Sequence, residues 1–79
     1  MKLEIISPEK TLYTGDAESV TLPGAKGSFT ILDRHAPIIS SLEKGTLSYR
    51  VRGENQDNEM DINGGFVEAK NNIVSVCID

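Results

Sequence analysis

The chain has 79 residues, 38% of them hydrophobic and 25% charged, with twelve acids against eight bases for a net charge of −4. That is enough apolar material for one modest core, and the charge balance is that of a folded domain rather than a disordered one. No apolar run approaches the roughly 18 residues of a membrane span and no signal-peptide core opens the chain. A lone cysteine cannot close an internal disulfide, and the acid excess opposes nonspecific binding to nucleic acid or anionic membrane. The expectation is a single soluble domain, 1–79, of a reducing compartment.

In chain order, apolar and polar residues alternate over short stretches bounded by glycine, proline or asparagine. The spacing predicts strands over Lys2–Ser7, Lys10–Thr14, Ala17–Leu22, Ser28–Leu32, Ile38–Leu42, Thr46–Val51, Glu59–Ile62, Gly65–Lys70 and Ile73–Cys77. Alternation is clearest in Val20-Thr21-Leu22, Leu47-Ser48-Tyr49-Arg50-Val51 and Val74-Ser75-Val76, where β-branched residues dominate. Gly24-Ala25-Lys26-Gly27 reads as a glycine-bracketed hairpin with one solvated lysine. Gly53–Asn58 reads as an exposed polar loop, and Asn71-Asn72 as a two-residue turn, since asparagine tolerates positive φ. Ser40–Lys44 hints at a helical turn that Gly45 would end. Gly64-Gly65 predicts a bulge or the close approach of another backbone. The fold class expected is all-β, a small two-layer antiparallel sandwich of about nine to ten short strands.

Reactive chemistry is hard to find. With one histidine and one cysteine the chain cannot supply a zinc-type ligand set, so no metal or other cofactor is expected. Cys77 lies in an apolar strand without a basic neighbour, which reads as a structural position rather than a nucleophile. His35 lacks a nucleophile elbow to serve, and the acids form no obvious dyad. The Gly24–Ser28 loop lacks phosphate-loop spacing and leads into a strand rather than a helix. The four aromatics, Tyr13, Phe29, Tyr49 and Phe66, read as core anchors rather than base-stacking platforms. Asp33-Arg34-His35-Ala36-Pro37 is either a surface corner with its own ion pair or a contact ridge, and the residues alone leave both readings open.

Together, several segments resemble the epsilon subunit of F-type ATP synthases. They are Leu3–Glu9, Leu12-Tyr13-Thr14-Gly15, Val20–Gly24, Gly27–Leu32, His35-Ala36-Pro37, Lys44–Leu47 and Ile62–Glu68. The likeness spans essentially the whole chain. It implies a ten-strand sandwich and a non-catalytic role on the central stalk, joining the gamma subunit to the membrane ring of c subunits and coupling proton transport to ATP synthesis. It also implies a peripheral position on the cytoplasmic face of a bacterial plasma membrane, with no lipid insertion and no nucleic acid. Members commonly continue into a C-terminal helical pair, whereas this sequence ends at Asp79 just after its last strand, so the expectation is a short form with the C-terminal helical domain absent and no inhibitory arm or nucleotide site.

The resemblance further implies the partner-contacting residues. The Gly24–Phe29 turn, with Lys26 and Ser28, faces the ring. The His35–Ile39 region and Ser7 face gamma or the ring. Phe29 and Ile38 are the candidate anchors, and Asp33, Arg34 and His35 the polar rim. Some relatives carry an acid at the position of Ser28, which is neutral here with Lys26 close by. The competing reading is a lipoyl or biotinyl carrier with Lys26 as the modified lysine, although Lys26 falls early in the chain and the two halves do not match.

Overall fold

Alternating apolar residues turn inward along eight strands in the computed structural model, which describes Met1–Asp79. They are β1 (Lys2–Ile6), β2 (Thr11–Gly24), β3 (Gly27–Leu32), β4 (Ile38–Leu42), β5 (Gly45–Val51), β6 (Asp57–Ile62), β7 (Gly65–Lys70) and β8 (Ile73–Ile78). There is no helix. One layer runs from the first half of β2 through β1, β8 and β7 to β4, and the other contains β3, the second half of β2, β5 and β6. Leu3, Ile5, Val67, Ala69, Val74 and Val76 from the first layer meet Val20, Leu22, Ile31, Leu47 and Ile62 from the second in one core with no buried charged or polar residue. Burying each Leu or Ile side chain is worth about 1.5–3 kcal/mol, which is what holds so small a sandwich together.

Several sequence expectations change. Lys10–Thr14 and Ala17–Leu22 are not separate strands but parts of β2, because Gly15 and Asp16 stay extended opposite Leu3 and Lys2 of β1. The strand count is therefore eight rather than nine or ten. β2 changes layer at a bulge, where Ala17 faces Val51 and Ser19 faces Arg50, leaving Glu18 unopposed. The extra residue moves the buried positions from Ala17 to Val20, out of simple alternation. Nor is Ser40–Lys44 helical, since Ser40, Ser41 and Leu42 pair with Val67, Phe66 and Gly65. Finally, the sandwich is not wholly antiparallel, since β1 and β8 run parallel, with Leu3 beside Val74 and Ile5 beside Val76. The polar loop also ends sooner than expected, as Asp57 and Asn58 already belong to β6.

The turns follow their chemistry. Asn71 and Asn72 have φ of 54° and 60°, the pair of left-handed conformations that a type I′ hairpin requires between Lys70 and Ile73. The β2–β3 loop holds only Ala25 and Lys26 between the paired glycines 24 and 27, and Gly27 has φ of 120°. On one flank, Tyr13 and Tyr49 lock the two layers together, their ring centroids 4.5 Å apart and tilted by 39°. Burial pushes both phenol pKa values up, with Glu54 adding to each.

Candidate interaction surface

Opposite the tyrosine pair, the two layers part. β3 bonds only to β2, and β4 touches β2 only at its end, through Gly24 opposite Leu42. Two hydrogen bonds hold that end shut: Ala25 N donates to Ser41 O at 3.1 Å and Glu43 N to Pro23 O at 2.8 Å. Beyond it an open groove of about 500 Å³ lies between Gly24–Phe29 and Ile38–Ser41. Four of the sequence-nominated residues, Lys26, Ser28, Phe29 and Ile38, meet there. Lys26 and Ser28 are exposed on the hairpin, whereas Phe29 and Ile38 are half-buried and pack against the core, so each anchor serves fold and surface together.

The other four lie elsewhere. Asp33 does not form a local pair with Arg34. Its carboxylate accepts from the Met1 amino group through Oδ1 and from Arg52 Nη2 through Oδ2 at 2.7 Å. Arg52 Nε also donates to Asp16 Oδ2 at 2.7 Å, and the Met1 amino group to Asp16 Oδ1 at 3.2 Å. The corner is thus tied across the chain, which no local pattern could reveal. Hydrogen bonds from the Met1 amino group and then Arg52 hold the Asp33 carboxyl down at about 2. Asp16 is lowered chiefly by Arg52, whose own pKa is raised by the two carboxylates.

Arg34 keeps its side chain free while its backbone N donates to Asn72 Oδ1 at 2.7 Å. The exposed His35 ring can only donate to the Ala36 carbonyl oxygen, 2.7 Å from Nδ1. Ser7 closes a turn in which its backbone N donates to Lys10 O at 2.9 Å, beside Phe66 and Ile78. Ile39, which the resemblance places in the partner-facing region without singling it out as an anchor, is 75% exposed on the groove. Its signal was present: two consecutive isoleucines on a strand must point to opposite faces. No group of three or more His, Cys, Asp or Glu side chains is arranged to hold a metal ion.

The family model described as "ATP synthase, Delta/Epsilon chain, beta-sandwich domain" matches residues 1–79. The chain belongs to that family. Similar curated proteins include the ATP synthase epsilon chain of Leptospira borgpetersenii, 43% identical over 79 residues, all of this chain and 61% of the relative. The epsilon chain of Desulfitobacterium hafniense is 42% identical over 77 residues, 98% of this chain and 57% of the relative. The chain therefore spans about three-fifths of the length of these relatives. Among solved structures, a chain of the central stalk and c-ring of the Tetrahymena thermophila mitochondrial ATP synthase superposes with a TM-score of 0.83 at 20% identity. The match covers 99% of this chain and 62% of that one. A Euglena gracilis mitochondrial ATP synthase chain reaches 0.86 at 18% identity, covering 96% and 48%. At such low identity these two establish the shared fold. A match to this family across the whole chain leaves the carrier reading without support.

Proposed function

We propose that this domain is the sandwich part of a non-catalytic rotor subunit. It binds the gamma subunit and the ring of c subunits of an F-type ATP synthase and passes rotation between them. The complex would lie on the cytoplasmic face of a bacterial plasma membrane, with this domain peripheral to the bilayer. The observation that carries the reading is the family match across all 79 residues. The physical features agree with it. A hydrogen-bonded sandwich braced by the tyrosine pair is stiff, as a torque-bearing element must be. An open groove with half-buried apolar anchors and polar neighbours has the composition of a protein interface.

Affinity purification from native membranes, with co-isolated subunits identified by mass spectrometry, tests this. Gamma and c subunits are expected in the eluate, and recovery of the tagged chain without either would refute the assignment. Intact-mass measurement should find Lys26 unmodified, and a lipoyl or biotinyl increment there would restore the carrier reading.

A further inference from the structure

The sandwich has two edge strands in its second layer, and they are defended very differently. β6 carries Asp57, Glu59 and Asp61 along its six residues. Charges of this kind are the usual means by which an exposed strand edge is kept from pairing with another chain. β3, Gly27-Ser28-Phe29-Thr30-Ile31-Leu32, has no charge, no proline and no bulge. The facing strand β4, Ile38-Ile39-Ser40-Ser41-Leu42, is equally uncharged. In a chain where a quarter of the residues are charged, the two strands that wall the groove are neutral, and Lys26 at the hairpin tip is the one charged residue lining it.

The register identifies which backbone groups face the groove. Gly24 and Gly27 flank a two-residue loop and so form a hydrogen-bonded pair, after which bonded and non-bonded pairs alternate. Phe29 and Ile31 then bond to Leu22 and Val20, and the main-chain groups of Ser28 and Thr30 and the N–H of Leu32 point away from β2. Two details agree with this phase. Pro23, which has no N–H to give, sits opposite Ser28, and the Thr21 and Thr30 hydroxyls meet at 2.8 Å as side chains of a close, non-bonded pair do. The Leu32 carbonyl is already taken by His35 N at 3.2 Å.

We propose that β3 is a strand-addition site, where an extended, uncharged segment of the gamma subunit pairs main chain to main chain with Ser28, Thr30 and Leu32. The segment's alternate side chains would face Phe29 and Ile38 inside the groove, and Ile39 would pack over it. This rests on the rotor reading and adds how the neighbour is held. The neutrality of both walls sets the character of the occupant, since a charged strand would lose its hydration there without a partner. A second copy of the chain is the poorer occupant, because each copy carries a net charge of −4. Recognition through backbone groups gives affinity with little demand on side-chain identity.

Hydrogen exchange followed by NMR, on the chain alone and bound to purified gamma subunit, tests the proposal. The Ser28, Thr30 and Leu32 amides should exchange rapidly in the free chain and at least 100-fold more slowly in the complex. Those of Phe29 and Ile31 should be protected in both. In parallel, Thr30→Pro removes one groove-facing N–H at an edge position that tolerates proline, while Thr30→Ala keeps it. The proline variant should bind gamma at least tenfold more weakly, and the alanine variant nearly as well as the parent. If the proline variant fails to fold, the exchange pattern still decides. Gamma binding with Ser28 and Thr30 amides as labile as in the free chain overturns strand addition alone. Failure of the parent chain to bind gamma overturns the rotor reading and this proposal together. Protection of these amides in a homodimer of the isolated chain would assign the edge to self-association instead.

Discussion

A β-carbon on Gly65 would lie 2.1 Å from the carbonyl oxygen of Cys77 and 2.9 Å from Ile78 Cα, so the backbone of β8 occupies the space a side chain needs. The residue also has φ of 144°, unfavourable for anything but glycine. Gly65→Ala should therefore cost more than about 2 kcal/mol. Gly27→Ala makes a clean comparison: its φ is 120° but its β-carbon would meet nothing within 4 Å, so only the conformational cost of about 1 kcal/mol remains. Urea denaturation of the two variants should rank them in that order, and equal costs would mean that the close approach at β8 relaxes freely. Asp33 supplies a second residue-scale expectation. Its folded pKa of about 2 lies below the ordinary 3.8, so the unfolded chain binds a proton first as the solution is acidified. The Asp33 contribution is therefore whole above about pH 4 and disappears as the pH falls towards 2. Thermal melts across that window should drop less steeply for Asp33→Asn than for the parent; parallel slopes would mean the contacts with the Met1 amino group and Arg52 do not persist in solution.

At the scale of elements, β2 shows what local pattern can and cannot reveal. Both of its halves were legible from apolar alternation, but their continuity was not, because Gly15 and Asp16 resemble a turn unless β1 is known to lie alongside. Tertiary pairing also overrode the helical hint in Ser40–Lys44. The Asn71-Asn72 turn, the β2–β3 hairpin and the close approach at Gly65 were readable because each is decided by local backbone chemistry. At the surface, Lys26, Ser28, Phe29 and Ile38 line one groove although they lie in the β2–β3 hairpin and the separate strand β4, while Asp33 is drawn away by Arg52, nineteen positions on, for which the sequence holds no signal. The bulge at Glu18 is the element that sets β2's phase in both layers. Deleting Glu18 should turn either Val20 and Leu22 or Ala17 and Tyr13 outward. Since each large apolar residue so exposed costs about 1.5–3 kcal/mol, loss of cooperative unfolding is expected. Glu18→Ala loses only the bond its carboxylate accepts from Gly53 N at 3.1 Å, a change of about 1 kcal/mol. Near-UV circular dichroism and thermal melts distinguish the two; a folded deletion variant of parental stability would show that the bulge is dispensable.

Across the whole molecule, 28 Å in its longest dimension, the pairing places the nominated residues at opposite ends. Gly24 sits beside Leu42, Leu42 beside Gly65 and Gly65 beside Ile78, so the Lys26 hairpin shares its end with Gly64 and Asp79. Arg34 bonds to Asn72, and Asn72 to Lys2, so the Asp33–His35 turn lies at the other end. The groove runs between them. A body that joins two neighbours has reason to be built this way, and the arrangement makes the contacts separable. Ile39→Asp puts a charge on a side chain that is 75% exposed, so stability should stay within about 0.5 kcal/mol of the parent while gamma affinity falls at least tenfold, about 1.4 kcal/mol. Lys26→Glu, at the tip of the hairpin rather than on the paired strands, should leave gamma affinity within about twofold and change the salt dependence of c-ring capture, as a reversed surface charge does. At the turn, Arg34→Glu with His35→Glu probes the rim cleanly because both side chains are exposed, whereas adding a change at Asp33 would also cut the contacts to Arg52 and the Met1 amino group. Titration calorimetry against gamma and pull-down on the c-ring give the two readouts. If Ile39→Asp bound gamma as tightly as the parent, or Lys26→Glu lost gamma and kept the ring, the contacts would be assigned to the wrong ends of the sandwich.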